Sequence, residues 1–458
     1  MVNTILSQIA KPPSKYIIWG LLFGVFNYVF ILSRVITQPI DFDAGSYVWM
    51  SRLLFNPDTS FSSSPVTILL LQLRQMGYPV LIAPFTALFG TGELLRVSVS
   101  LLHLLIYWLA TYSVYRLARQ ILGQKSADVI VLLLLALPFP YFLIVEVLAD
   151  SISTSLAMAA IVCGVYSLIN LSSLRFYIVS ISLSGLLMSI RQDTVYVPIF
   201  VGLCGLHFWQ NILDSITSRK IVSFFISGLM SVACIFVSVL LFRIPNYIIT
   251  HRYLGIGSFG PPNYSSIDFI DGGLRTLKYY VGFDLPGNYI TTPNPFVSTA
   301  QITSISEPIV FYFKYPLDGF LSLLTKSFAL VDWDAPFVYH DSVPPRPNLF
   351  LSILNFWVVI NGLIGLALVM FKTKSHRSSL NTRRVFLFAV ISFLPYMGIH
   401  TISHVEVRYG LPIIVILTVL LGIWISKTTI QIFVYSQIRI WTVFIPLAIW
   451  LSSSLRDF

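Results

Sequence analysis

Residues 220–243 read KIVSFFISGLMSVACIFVSVLLFR, with charge only at Lys220 and Arg243 and apolar or small residues between them. A bilayer core of about 30 Å needs about 20 consecutive apolar helical residues, so this stretch is long enough to cross it. It is also apolar all round, which a soluble surface helix is not. The same reading repeats outward in both directions. Towards the N-terminus, spans are expected at 16–33 and 94–118. The run 127–170 exceeds one helix and divides at Pro138, Pro140, Glu146 and Asp150 into a pair. The run 174–210 divides at Arg191-Gln192-Asp193 into another pair. Towards the C-terminus, 349–371, 385–402, 410–426 and 437–455 follow. The expected fold is an all-α polytopic membrane protein with about 11 (10–13) transmembrane helices, outer-face interfacial helices and one long outer loop.

Composition excludes the alternatives. The 458 residues are 56% apolar, 15% aromatic and only 10% charged, with a mean hydropathy of +0.81. A soluble domain carries roughly 25% charge, so this chain cannot face water on all sides. It is far too apolar for disorder, and three cysteines cannot make a disulfide framework. Cys163, Cys204 and Cys234 all fall in apolar stretches and read as packing residues. The net charge of +10 fits the excess of Lys and Arg in cytoplasmic loops of membrane proteins. No nucleic-acid-binding signature accompanies it.

Lys11 and Lys15 precede the apolar run Tyr16–Ser33 with no small-x-small cleavage site after it, which reads as a retained signal anchor. With the N-terminus cytoplasmic, Arg116, Arg119, Lys125, Arg219, Lys220, Lys372, Lys374, Arg377, Arg383, Arg384 and Lys427 gather on the cytoplasmic side. Of the 19 acidic residues, only Asp128 and Asp214 join them. The rest lie outside or at outer helix ends, a bias that insertion does not require because acids contribute little to topology. The chain divides into an N-terminal transmembrane module, 1–243, a long extracytoplasmic loop, 244–348, and C-terminal transmembrane helices, 349–458.

Five outer segments carry the chemistry. In the first outer loop, 34–78, Asp41 and Asp43 stand two residues apart. Such a pair can share a divalent metal, or one carboxylate can act as a general base. Tyr47 to Leu54 suits an interfacial helix, and Gly77-Tyr78-Pro79 through Gly90 a short re-entrant or interfacial one. Glu146 and Asp150 open one span, and Arg191 with Asp193 interrupts another. His400, His404 and Arg408 step by four, which on a continuous helix would align them on one stripe. No glutamate sits between the histidines in the zincin manner. An arginine fork beside histidine suits a phosphate dianion better. The same ions also fit helix-end anchors that reach the interface. The loop 245–345, rich in Pro, Gly, Tyr and Asp, is expected to be irregular and to cover or bind a substrate, with Leu317–Val331 as an interfacial helix.

In this order the elements resemble the GT-C class of integral membrane glycosyltransferases, in particular the bacterial branch related to protein O-mannosyltransferases and aminoarabinose transferases. Asp43 and Tyr47 resemble the first-loop aspartate and tyrosine of that class. Gly77-Tyr78-Pro79 to Leu88-Phe89-Gly90 is similar to its GYP…LFG stretch, and Arg408-Tyr409 with Pro412 to its late RYxxP. Glu146 or Asp150 resembles the acid opening the fourth span, and Arg191 the arginine after the fifth. One departure stands out: Ala44 occupies the place of a frequent second acid. This leaves a metal role open, with Asp41 and Asp43 as its only candidates.

The resemblance implies transfer of a sugar from a polyprenyl-phosphate-linked donor to a lipid, glycan or protein acceptor, with inversion, at the extracytoplasmic face of the plasma membrane. Asp43, or Asp41, would be the general base. Arg408, Arg191 and His404 would hold the donor phosphate. Tyr47, Glu146, Asp150, Asp193 and Tyr409 would line the substrate cavity. Two other readings remain. An O-antigen-type polymerase or ligase would rely on loop arginines such as Arg275 or Arg346. A transporter or flippase would call for internal repeats and helices broken near mid-membrane.

Overall fold

With no water in the bilayer core to satisfy backbone N–H and C=O groups, apolar runs of this length close their hydrogen bonds internally and become helices. In the computed structural model of the chain, the described residues are 14–38, 40, 42–55, 76–169, 174–214, 220–254, 276–283, 289–297, 307–333, 348–372, 377–402 and 407–454. The first part comprises α1 (Lys15–Val35), α2 (Phe42–Leu53), α3 (Gly77–Phe89), α4 (Glu93–Leu122), α5 (Gln124–Ala136), α6 (Phe139–Ile144), α7 (Ala149–Ile169), α8 (Leu174–Ile190), α9 (Tyr196–Asp214) and α10 (Lys220–Leu254). An antiparallel hairpin follows, β1 (Thr276–Phe283) with β2 (Tyr289–Pro293), and then α11 (Glu307–Lys314) and α12 (Pro316–Val331). The last part is α13 (Leu349–Lys372), α14 (Arg377–Ile402), α15 (Leu411–Lys427), α16 (Ile430–Arg439) and α17 (Ile445–Ser454), the final two joined by a π-helical segment at Ile440–Phe444.

The protein is a helical polytopic membrane protein. Among the described residues, 8 helical stretches are long and apolar enough to cross a membrane, with shorter apolar helices at Gly77–Phe89, Leu174–Ile190 and Leu387–Thr401. Every expected span falls on helix. Two differences have physical reasons, and the interfacial helix expected at Leu317–Val331 is present as α12. Helix α10 does not stop at Arg243 but continues to Leu254; at 1.5 Å per residue its 35 residues reach roughly 52 Å, well past a bilayer core. The segment expected to be irregular between 245 and 345 carries the end of α10, the hairpin, α11 and α12. Long connections in compact proteins rarely lack secondary structure of their own. Helix α12 has 16 residues, roughly 24 Å, too short to cross. It presents Leu317, Phe320 and Leu324 outward while Gly319, Ser322, Lys326, Ala329 and Leu330 are buried.

Packing follows membrane rules, with small polar residues inside and large apolar ones outside. On α10, Ser223, Ser227, Ser231 and Ser238 are buried while Ile221, Phe225 and Leu229 are exposed. Ser238 Oγ donates to Ile181 O at 2.8 Å, and Ser180 Oγ to Ala160 O at 2.7 Å. Each bond satisfies a hydroxyl that lipid could not. One core joins α1, α4, α5, α6, α13 and α15, and a second joins α7, α8, α9 and α14. The two ends of the chain therefore share one core, with α15 packed against both α5 and α13. Two glycines permit the closest approaches. A Cβ at Gly77 would strike the Ser189 backbone, and one at Gly410 the Leu330 carbonyl. The first draws α3 to the end of α8, and the second seats residues 407–410 under α12. Below this contact, Ser452 Oγ donates to Asp332 at 2.8 Å and Asn355 donates to Val331 O, which pins the end of α12 to the C-terminal helices.

Candidate active site

Each ionic side chain of the site sits where a helix starts or stops. Asp43 and Asp150 lie in the first turns of α2 and α7, where free N–H groups favour negative charge. Arg191 follows the last turn of α8 in extended conformation, φ −147° and ψ 128°, at the end where carbonyls favour a cation. A 3-10 turn, Gln192–Val195, then redirects the chain into α9 and carries Asp193. Thr194 Oγ1 closes this turn on Arg191 O at 2.7 Å. A second 3-10 turn, Val407–Gly410, presents Arg408 and Tyr409 before α15, whose first turn holds Pro412.

These five segments converge. Arg408 Nη2 lies 2.7 Å from Asp43 Oδ2, and Arg408 Nη1 lies 3.8 Å from Asp150 Oδ2. Arg191 forks between Asp150 and Asp193, bonding both. His400 Nε2 stands 3.4 Å from Asp193 Oδ2. Both guanidinium carbons lie 5.2 Å from the centroid of the Tyr409 ring, within cation–π range. The Tyr409 ring is tilted against His400 at 4.4 Å. Tyr396 Oη donates to Tyr409 O at 2.7 Å, which fixes the turn. A small cavity opens among Asp150, Thr154, Arg191, Asp193, Tyr396 and Arg408. Asp150 and Arg408 are 4% and 6% exposed, whereas the side chains of Asp43, Arg191 and Asp193 keep 20%, 14% and 18%. The cluster is thus closed at its base and reachable from one side.

Of the residues singled out by sequence, Asp43, Asp150, Arg191, Asp193, Arg408 and Tyr409 meet here. Glu146 does not join them: it pairs with Arg96 at 3.1 Å, both buried. Tyr47 is buried and meets Tyr78 edge to face at 4.8 Å. Asp41 and His404, like Glu406, Arg275 and Arg346, lie outside the described residues. The four-residue stripe of His400, His404 and Arg408 is not one helix, because α14 ends at Ile402 and Arg408 belongs to the following 3-10 turn. His400, on the last turn of α14, reaches the cluster together with Tyr396 one turn earlier. The sequence signal for Tyr396 was its i, i+4 relation to His400; nothing local marked Thr194 or Tyr196.

Among the described residues, two guanidinium groups face three carboxylates. No group of three or more His, Cys, Asp or Glu side chains there is suited to a metal ion. The donor set explains this, because Asp43, Asp150 and Asp193 are each turned towards an arginine. Asp41, the other metal candidate, lies outside the described residues, and the described carboxylates form ion pairs in a partly desolvated chamber.

No protein-family model matches the chain, and no curated protein sequence matches it. Among solved structures it is similar to the Archaeoglobus fulgidus oligosaccharyltransferase in the apo form, at 12% identity and a TM-score of 0.45, over 97% of this chain and 56% of that one. It is also similar to ArnT from Cupriavidus metallidurans bound to undecaprenyl phosphate, at 13% identity and a TM-score of 0.41, over 91% of this chain and 79% of that one. A further match is the A. fulgidus oligosaccharyltransferase in complex with an inhibitory peptide and a dolichol-phosphate, at 11% identity and a TM-score of 0.43, over 96% of this chain and 55% of that one. Both kinds of protein are GT-C glycosyltransferases, the class that the sequence resembles. The chain spans little more than half the length of the oligosaccharyltransferase. Overlays this loose carry no activity across.

Proposed function

We propose that this chain is a membrane glycosyltransferase that moves a sugar from a polyprenyl-phosphate-linked donor to a lipid, glycan or protein acceptor, with inversion, at the extracytoplasmic face of the membrane. The observation that carries this reading is the pairing of Asp43 with Arg408 at 2.7 Å in a chamber that Arg191 shares. An early carboxylate and a late guanidinium separated by most of the chain meet where a proton acceptor and an anion holder would have to meet.

The ion pairs suggest the order of events. A donor phosphate offers planar arginine forks a better partner than one carboxylate oxygen. It would draw Arg408 away from Asp43, with Arg191 as the second holder. Asp150 and Asp193 keep Arg191 oriented, and the Tyr409 ring backs both cations. Asp43, released from Arg408, then faces the acceptor hydroxyl. In the transfer step the acceptor oxygen bonds to the anomeric carbon from the side opposite the phosphate. The bond from that carbon to the phosphate oxygen breaks, the phosphate leaves with the electron pair, and the acceptor proton passes to Asp43. Arg408 and Arg191 stabilise the charge that grows on the leaving phosphate.

The test is turnover in lipid nanodiscs with a panel of polyprenyl-phosphate sugars, read as free polyprenyl phosphate released in the presence of acceptor. Wild type is expected to release it with inverted anomeric configuration in the product. Asp43→Asn should remain folded and inserted, and lose transfer. Full activity in that variant would remove Asp43 from the mechanism, and loss of activity only on changing Arg275 or Arg346 would favour a polymerase or ligase.

A further inference from the structure

Helix α4 carries Arg96, Ser100, His103, Tyr107 and Thr111 at helical spacing, each no more than 2% exposed. Polar groups at membrane depth persist where they are partnered, and an ionisable one there marks function by default. Most of this stripe explains itself by pairwise satisfaction. Arg96 holds Glu146 and the Gln38 carbonyl, each at 3.1 Å. Ser100 meets Tyr28 at 2.7 Å, and Tyr107 donates to Leu134 O. His103 differs because it bridges two side chains on two other helices. Its Nε2 lies 3.2 Å from Tyr78 Oη and its Nδ1 lies 2.9 Å from Ser151 Oγ. A neutral imidazole has one donor and one acceptor, and the ring meets the Ile144 backbone as well as the two hydroxyls, so it ties α3, the end of α6 and α7 together.

The two partners lead to the two sides of the candidate site. Tyr78, in the first turn of α3, meets Tyr47 edge to face at 4.8 Å, and Tyr47 stands one turn after Asp43 on α2. Ser151 directly follows Asp150 on α7. A buried arc therefore runs from Asp43 through Tyr47, Tyr78, His103 and Ser151 to Asp150. Arg408 closes the ring above it, 2.7 Å from Asp43 and 3.8 Å from Asp150. The upper closure has to open when a phosphate takes Arg408. The lower arc contains no group that a phosphate would displace.

We propose that His103 is a positioning residue: it fixes the spacing of α2 against α7, so that Asp43 stays in reach of the acceptor after its ion pair with Arg408 is exchanged. This rests on the transferase reading for its consequence, though the tie itself does not.

The experiment compares four proteins in nanodiscs: wild type, His103→Leu, His103→Gln, and the triple variant His103→Leu/Tyr78→Phe/Ser151→Ala. Donor KM, kcat, thermal midpoint and hydrogen exchange of residues 42–53 are measured for each. His103→Leu leaves two hydroxyls unpaired and should lower the midpoint, whereas the triple variant removes all three polar groups and should recover it. The triple variant should still turn over about 10- to 100-fold more slowly, the scale of a misplaced reacting group. Its donor KM should be little changed, and residues 42–53 should exchange faster than in wild type. His103→Gln, which keeps a donor and an acceptor, should regain part of the lost kcat. Wild-type kcat and wild-type exchange in the triple variant would overturn the proposal, since the network would then only satisfy buried groups. If the triple variant fails to fold, His103→Gln no better than His103→Leu in both kcat and exchange overturns it equally. If wild type transfers from no donor tested, the transferase reading falls by itself. Exchange at residues 42–53 then decides the tie: faster in the triple variant upholds it, and unchanged refutes it.

Discussion

Glu146 and Asp150 are four residues apart in the chain, both buried and both next to arginine, yet they belong to different kinds of site. Glu146 faces Arg96 at 3.1 Å, and a second nitrogen of that arginine donates to the Gln38 carbonyl. Asp150 is shared between Arg191 and Arg408, which are themselves shared with Asp193 and Asp43. The first arrangement joins two buried side chains, 2% and 7% exposed. The second has more acids than arginines, both guanidinium carbons 5.2 Å from one tyrosine ring and side chains that keep partial exposure. A cluster whose members already share partners can hand one of them to a ligand at modest cost, because the remaining contacts persist.

The sharpest way to break this contrast is on turnover. Asp43→Asn should cost at least about 100-fold in kcat, the lower range for a general base, while a folded Arg96→Met/Glu146→Leu protein should transfer within a few-fold of wild type. Equal losses in the two would mean that the distinction is empty. Stability should rank them in reverse. Arg96→Met alone strands a buried carboxylate and should destabilise by about 3–5 kcal/mol, most of which the double replacement recovers; thermal unfolding in nanodiscs reads this directly. A smaller effect tests the Tyr409 ring, which both arginines approach. Tyr409→Leu removes cation–π contacts of about 0.5–2 kcal/mol and should raise the donor KM roughly 3- to 30-fold with little change in midpoint.

The smallest effect concerns Lys326, on α12 outside the spanning helices. Burial pushes its ammonium from the ordinary 10.5 down to about 7. Between those two pH values the unfolded chain holds a proton that the folded one has released, so stability should rise with pH through that window. Lys326→Met should flatten that rise without touching turnover. An unchanged slope between pH 7 and 10 would show that the folded protein keeps the proton.

Much of the candidate site was legible because ions in a membrane segment are rare enough to count one by one. Asp43, Asp150, Arg191, Asp193 and Arg408 each announced themselves as charges at the ends of apolar runs. What was not legible was partnership. Glu146 and Asp150 looked interchangeable until α4 brought Arg96 to one of them. His103 and Tyr396 lay inside apolar runs with no neighbouring charge, so periodicity passed over them. His400 would share a stripe with Arg408 only on a continuous helix, but His400 lies on α14 and Arg408 on the 3-10 turn Val407–Gly410, and the two reach the cluster from separate elements. The helix at 317–331 was legible as an apolar run, whereas the Pro and Gly content of the rest of the long loop hid the hairpin and α11.

Hydrophobic run length and the scarcity of charge were enough to establish that this chain is a polytopic bundle of membrane helices. That much follows from local physics, since lipid leaves an apolar segment no choice but to satisfy its own backbone. Which charges share a chamber was decided only by the bundle. The packing of α15 against α5 and α13, and the bare backbone of Gly410 beneath α12, carry Arg408 across the molecule to Asp43. Such pairings depend on which helix faces pack together, and a one-dimensional pattern of hydropathy holds no record of that.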